Sequence, residues 1–331
     1  MAEPTTPDFV ARPCAHPEAY PAERYGRCDE LFLVTCYFNS NSFRTRRETY
    51  DRFAQSIRGS GLNLLTVECA FGDADFTLPP GPGCMRVRSR DVMWQKERLI
   101  NLAVASLPTS VRKVAWLDCD VLFSNSDWAI QTAALLDTFP IVQTFKTAIR
   151  LPRSHTSYRG LGEVWSGFAW VSAVVPEVFA KDYAQHGHTG FGWAARRDLL
   201  DRHGLYDACI SGSGDHLMAH AMRGDLSMKC GLFPTSPKLR EHFRQWAKAF
   251  HADVSGQIGS TPGTLLHLWH GDTKDRRYID RHEQLVNLDF DPAADLRIGR
   301  DGLWEWASDK PEFRRWMRDY FESRKEDGDG W

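Results

Sequence analysis

Three short stretches carry residues whose types and spacing could do chemistry. In KVAWLDCDVLF (113–123), Asp118 and Asp120 stand one residue apart at the end of an apolar run. Burying a carboxylate is costly unless it is paired or bound to a metal. Hard oxygen donors suit Mg2+ or Mn2+, and an added imidazole favours Mn2+. Such a cation would bridge two phosphate oxygens and neutralise charge on a diphosphate leaving group. A turn after the strand would let one carboxylate reach the cation and the other a ribose hydroxyl or a metal-bound water. The plainer alternative is that one aspartate begins the turn and the other is solvated. In SGSGDHLMAHAM (211–222), a glycine-rich turn opens a helix with Asp215. The free N–H groups and dipole of a helix start favour an ionised carboxylate, able to bind hydroxyls or act as general base; a simple helix cap is the alternative. In HLWHGDTKDRR (267–277), His267 and His270 precede Lys274, Arg276 and Arg277. The two histidines share one side of a helical turn but lie on opposite sides of a strand, so only one of them is expected to be a ligand.

The elements that must position these residues follow from periodicity. LFLVTCYFN (31–39) and LNLLTVECAF (62–71) read as buried strands flanking a helix over 42–61. WQKERLINLAVASL (94–107) repeats apolar residues on one helical face and leads to the strand bearing the aspartates. Strand, helix, strand, helix, strand predicts an α/β fold with a mainly parallel sheet flanked by helices, whose ligands bind beyond the carboxyl ends of the strands. Further on, FPIVQTF (139–145) reads as a strand, 151–165 as a polar loop suited to a lid, about 194–203 as a short helix and 211–225 as a turn into another.

Together WQKERLINLAV, WLDCD and GFGWAARRDLLDRHGLYDACISGSGDHLMAHAM resemble the GT-A glycosyltransferases, in particular polypeptide GalNAc-transferase and galactosyltransferase-like enzymes. The resemblance covers roughly residues 30–285 and implies a GT-A (Rossmann-like) mixed fold. It implies a metal-dependent transferase moving a sugar from a nucleoside diphosphate sugar, foremost a UDP-sugar, to a hydroxyl acceptor in a glycan, a protein or a small molecule. Asp118 and Asp120 would bind ribose and Mn2+ (or Mg2+), His270 would complete the metal site, and Arg277 with its basic neighbours would grip the diphosphate. His267 would be packing. Lys96 and Asn101 would lie near the nucleotide. Asp215, where these families more often have Glu, would orient or deprotonate the acceptor. Thr35, Tyr37 and Asn39 end the first strand, where base and ribose sit in this fold, although Tyr37 also suits a core edge. Glu68 suits either the base or a salt bridge. Trp165 and Trp193 suit either a sugar platform or the core.

The 331-residue chain has 42% hydrophobic and 25% charged residues and a net charge of −2, which argues against nucleic acid and anionic lipid as partners. It shows no apolar stretch of membrane-span length and no signal peptide, so a cytoplasmic protein is expected. Its eight cysteines form no CxxC pair and are expected to be reduced. Cys14, His16 and Cys28 match no common zinc spacing. The expected organisation is an N-terminal extension (1–29), a glycosyltransferase domain (30–290) and a C-terminal helical tail (291–331). A sugar nucleotidyltransferase would carry a glycine-rich loop after the first strand, where TCYFNSNSFRTR has none. A binding module without turnover would be expected to have lost Asp120, Asp215 or His270.

Overall fold

A computed structural model of the protein describes residues 19–178, 183–226 and 235–328. In chain order the strands are β1 (Leu31–Phe38), β2 (Leu64–Phe71), β3 (Cys84–Ser89), β4 (Lys113–Leu117), β5 (Val121–Phe123), β6 (Ile141–Gln143), β7 (Thr147–Arg150), β8 (Glu163–Ser166), β9 (Gly192–Arg196), β10 (Ile258–Ser260), β11 (Thr264–His267), β12 (Leu296–Ile298) and β13 (Trp304–Trp306). The helices are α1 (Arg44–Gly59), α2 (Lys96–Ser106), α3 (Trp128–Leu135), α4 (Phe168–Val174), α5 (Tyr183–His186), α6 (Arg197–His203), α7 (Gly214–Met222), α8 (Pro237–Val254), α9 (Asp280–Asn287), α10 (Pro292–Asp295) and α11 (Pro311–Ser323).

Seven strands form the central sheet in the order β10-β6-β9-β4-β1-β2-β3. Its pairs are parallel except the two made by β9, which runs antiparallel between β4 and β6. Alternate residues of each strand face opposite sides of the sheet. On one side Val34, Cys36, Val67, Cys69, Val114 and Trp116 pack with Leu99, Ile100, Ala103 and Val104 of α2 and with Leu217, Met218 and Ala221 of α7. On the other, Leu31, Leu33, Leu64, Ala115 and Leu117 pack with Phe53, Ala54 and Ile57 of α1 and with Trp128 and Ala129 of α3. The result is the expected mixed, mainly parallel sheet between helical layers.

The run 113–123 is broken in two at its aspartates. The chain leaves the central sheet at Leu117, turns at Cys119 and Asp120, and enters a second sheet as β5. That sheet has the order β5-β11-β7-β8, with β11 antiparallel to β5 and parallel to β7. The aspartates therefore lie at the junction of two sheets, where strand pairing ends and a carboxylate can face a cavity. Residues beyond 290 join the main core through Phe313, Met317, Tyr320 and Phe321 of α11. Cys14 and His16 lie outside the described residues, and Cys28 is buried. Among the described residues no helix is long and apolar enough to cross a membrane.

Candidate active site

A cleft of about 1200 Å³ opens beyond the carboxyl ends of β1 and β4, lined by Lys96, Asp118, Asp120, Trp165, Asp215 and His270 among others. Its floor is the turn after β4. The Asp118 N–H donates to the Phe191 carbonyl at 2.7 Å, and the Asp120 carbonyl accepts from Leu268 N–H at 2.8 Å. These bonds tie the turn to β9 and to the end of β11.

β11 ends at His267, and the chain leaves the sheet before His270. Strand alternation stops there, so both imidazoles turn to Asp120. His270 Nε2 stands 2.9 Å from Asp120 Oδ2, His267 Nε2 stands 3.7 Å from Asp120 Oδ1, and the two Nε2 atoms are 3.2 Å apart. The expectation that His267 only packs is thereby corrected: it faces the same point as His270. Donors held about 2.0–2.2 Å from one divalent ion stand roughly 3 Å apart, so the three residues fit such an ion. Asp120 is 3% exposed, and its Oδ1 has no hydrogen-bond partner, which leaves a buried anionic oxygen aimed at this point. Burial alone would raise the Asp120 carboxyl, but His270, His267 and Arg46 overcome it and hold the group well below its usual range. Burial keeps His267 far below its ordinary value, opposed by Asp120, so its imidazole is neutral. A neutral imidazole and an ionised carboxylate are the forms that bind metal.

Behind His270 stands a residue from the chain's far end. Glu326 lies 3.2 Å from His270 Nδ1 and accepts from Arg324 at 2.7 Å. Arg46 lies 3.5 Å from Asp120 and 3.7 Å from Glu326. Gly271, at φ 91°, admits this approach: a Cβ there would come within 3.0 Å of Glu326 Cα and 3.1 Å of the Arg324 carbonyl. A carboxylate behind a ligating histidine fixes its ring and raises its basicity. Arg276 donates to the His270 carbonyl at 2.7 Å and lines the cleft.

Asp118 is paired with Lys96 at 2.5 Å. Burial raises the Asp118 carboxyl, opposed by Lys96. Burial also works against the charge on Lys96, but Asp118, Asp215 and Glu97 more than restore it. A buried, charged ammonium thus stands between the aspartate turn and the start of α7.

That start is fixed from outside. Ser213, in the left-handed region at φ 73°, accepts from Arg281 at 2.5 Å and contacts His282 Nε2 at 3.1 Å, while Arg281 also donates to the Tyr320 hydroxyl at 2.8 Å. Asp215 follows in the first turn, half-buried, and its Oδ1 accepts the N–H of His216. Gly190 makes room for it: a Cβ there would lie 2.5 Å from Asp215 Oδ2. A third wall carries Arg150, Trp165, His188 and Phe191. His188 stacks on Phe191 with centroids 3.9 Å apart, and its Nε2 is 3.0 Å from Arg150 Nη2. Phe191 holds φ 77°, which a non-glycine residue adopts at a cost of order 1–3 kcal/mol.

Other expected site residues are not brought to the cleft. Asn101 lies five positions beyond Lys96, about 140° further round α2, and its side chain bonds Leu205 and Asp207 instead. Trp193 is a core residue whose indole N–H donates to the Thr189 carbonyl. Thr35 donates to the Leu117 carbonyl and so joins β1 to β4. Tyr37 is buried against Tyr50, and Asn39 closes its own loop through Phe43. Glu68 accepts from Thr77 and Leu78 and pairs with Arg86 at 3.6 Å, the salt-bridge alternative. Arg277 is exposed, and its neighbour Arg276 takes the place in the cleft. Sequence reasoning missed Arg46, Glu326, Arg150, His188 and Phe191, which no local motif marks.

No family model and no curated protein matches the chain. Among solved structures, the chain is similar to the catalytic domain of Drosophila β1,4-galactosyltransferase 7 in complex with xylobiose, at 11% identity and TM-score 0.37, over 87% of this chain and 98% of that one. It is similar to mannosyl-3-phosphoglycerate synthase from Rubrobacter xylanophilus, at 12% identity and TM-score 0.35, over 83% of each chain. It is also similar to 4-diphosphocytidyl-2C-methyl-D-erythritol synthase from Anaerococcus prevotii, at 9% identity and TM-score 0.32, over 71% of this chain and 90% of that one. These likenesses concern the fold, and the chemistry rests on the site itself.

Proposed function

We propose that the protein is a divalent-cation-dependent glycosyltransferase that moves a sugar from a nucleoside diphosphate sugar, foremost a UDP-sugar, to a hydroxyl acceptor. One observation carries this reading: Asp120, His267 and His270 converge on one point beyond the parallel strands, with a buried Asp120 oxygen unpartnered, in a cleft that Asp215 also lines. Two imidazoles added to a carboxylate favour Mn2+ over Mg2+. When bound, the cation would offset negative charge on the leaving diphosphate.

The chain's own residues do the rest. Asp120, His267 and His270 would hold the ion, with Glu326 orienting His270. Asp118, kept in place by Lys96, accepts from a ribose hydroxyl. Lys96 and Arg276 add fixed cationic charge to the cleft, so that charge developing on the diphosphate meets groups already oriented. Asp215 accepts a hydrogen bond from the acceptor hydroxyl and takes or steers its proton. Trp165, half-buried beside Arg150 and His188, offers a flat apolar face to a sugar ring.

The reading is tested by incubating the protein with UDP-sugars in turn, with Mn2+ or with chelator, and measuring released nucleotide. Mn2+-dependent release of UDP, absent in His270→Ala, supports it. Pyrophosphate formed from a nucleoside triphosphate and a sugar phosphate would assign a nucleotidyltransferase instead.

A further inference from the structure

A second group of histidines lies behind the Asp215 wall. His216 and His220 are four residues apart on one face of α7, and His186 ends α5. All three are buried, and one donor nitrogen of each lies within 4.8 Å of the other two. Their ring centroids are 4.5, 5.0 and 5.3 Å apart.

The hydrogen-bonding roles constrain the protons. His186 Nδ1 is 2.8 Å from the Gly187 carbonyl, which can only accept, so that nitrogen carries the hydrogen. A neutral His186 then presents a lone pair at Nε2. His220 Nδ1 is 3.2 Å from Asp225 Oδ2, and its Nε2 faces His186. These two Nε2 atoms stand 3.4 Å apart. Both rings thus turn toward the same point the nitrogen that would bind a metal. Nitrogens held about 2.0–2.1 Å from a tetrahedral zinc ion stand roughly 3.3 Å apart, which this spacing meets. Asp225, 6% exposed, stands behind His220 as a carboxylate stands behind a metal-bound histidine.

We propose that His186, His216 and His220 form a second metal site, binding a structural divalent ion of the zinc type, with Asp225 orienting His220. The ion pins α7 to the segment that ends in His188. Asp215 directly precedes His216 and His188 follows His186 by two residues, so the site fixes two walls of the cleft against each other. This differs from the Asp120 site in donor set and place, and does not depend on the function proposed above.

The test uses full-length protein carrying Asp120→Ala with His270→Ala, which blanks the first site, beside wild type. Metal content after gel filtration is expected to be about one equivalent of zinc per chain in both. After stripping with a strong chelator, added Co2+ is expected to give the intense visible band of a tetrahedral site in both proteins. His186→Ala and His220→Ala, each in the blanked background, should lose the zinc and the band. Absence of bound zinc and of the Co2+ band in wild type overturns the assignment and leaves a cluster held by a proton shared between His186 and His220. A Co2+ band in wild type that vanishes in the blanked protein, while that protein keeps its circular dichroism, also overturns it, because the metal then belongs to the first site.

Discussion

The two histidine clusters make an instructive pair. In one, His267 and His270 leave a strand end and meet the carboxylate of Asp120 directly. In the other, His216 and His220 project from a helix toward a third imidazole, and the carboxylate of Asp225 stands behind a ring. A carboxylate at the floor of an open cleft would lower the net charge of a bound ion and leave positions for substrate oxygens. Three imidazoles enclosed in the core suit a tetrahedral ion of the zinc type, whose fourth position a buried water would fill. Placement follows the backbone: a turn between two sheets exposes side chains to a cavity, whereas one helix face packed against another segment encloses them.

Substitutions break this contrast in graded ways. The largest effect is expected for Asp120→Ala, which removes the carboxylate from the open cluster. Sugar transfer should fall by about 10³-fold or more, with the zinc content of the closed cluster unchanged. Loss of both would mean the clusters are one unit. Asp215→Asn should lower transfer by roughly 10²–10⁴-fold, the usual range for losing a general base, while donor binding by calorimetry stays as in wild type. A rate near wild type would make Asp215 a helix cap. Glu326→Gln keeps the shape behind His270 but removes its charge, and Mn2+ affinity should weaken about 10–100-fold. Unaltered Mn2+ binding would show that Glu326 serves only Arg46 and Arg324.

The smallest effect concerns Glu97, which packs against Gly214 at the start of the helix bearing the closed cluster. Burial, with Asp215 adding to it and Lys96 opposing, pushes this carboxyl up to about 8 from an ordinary 4.5. Between those values the folded protein holds a proton that the unfolded chain releases, so this group's contribution to stability falls as pH rises through the window. Glu97→Gln should therefore raise Tm near pH 8, with the gain shrinking toward about pH 5. An equal gain at both pH values would remove the titration from the account.

Much of this frame was legible in the sequence, and the exceptions have physical causes. Strands β1 and β2 and helices α1 and α2 carry strong periodicity and fall within two residues of the expected ranges. The turn at the aspartates was expected, but the passage of Val121–Phe123 into a second sheet was not, because three apolar residues do not encode which sheet they join. Strand β9 lies antiparallel between β6 and β4, a pairing that local pattern does not encode. Asp118, Asp120 and Asp215 line the cleft that the sequence pointed to, because motif and element coincide there. His267 was misjudged because strand alternation was applied past the strand's end. Glu326 and Arg46 were missed because their meeting with His270 spans most of the chain, and charged residues in a terminal tail or on an amphipathic helix read as solvated. Asn101 and Trp193 were placed by resemblance, whereas helix rotation and strand facing send both elsewhere.

The central claim is that Asp120, His267 and His270 bind a cation that in turn holds a nucleoside diphosphate. Thermal unfolding with UDP, GDP, CDP and ADP, each with and without Mn2+, tests it most directly. A nucleotide present at a hundred times its dissociation constant should add about 2.7 kcal/mol of stability. The account expects such a shift with one nucleotide, UDP foremost, only when Mn2+ is present, and its loss in Asp120→Ala. Equal shifts with and without Mn2+, or none with any of the four, would contradict it.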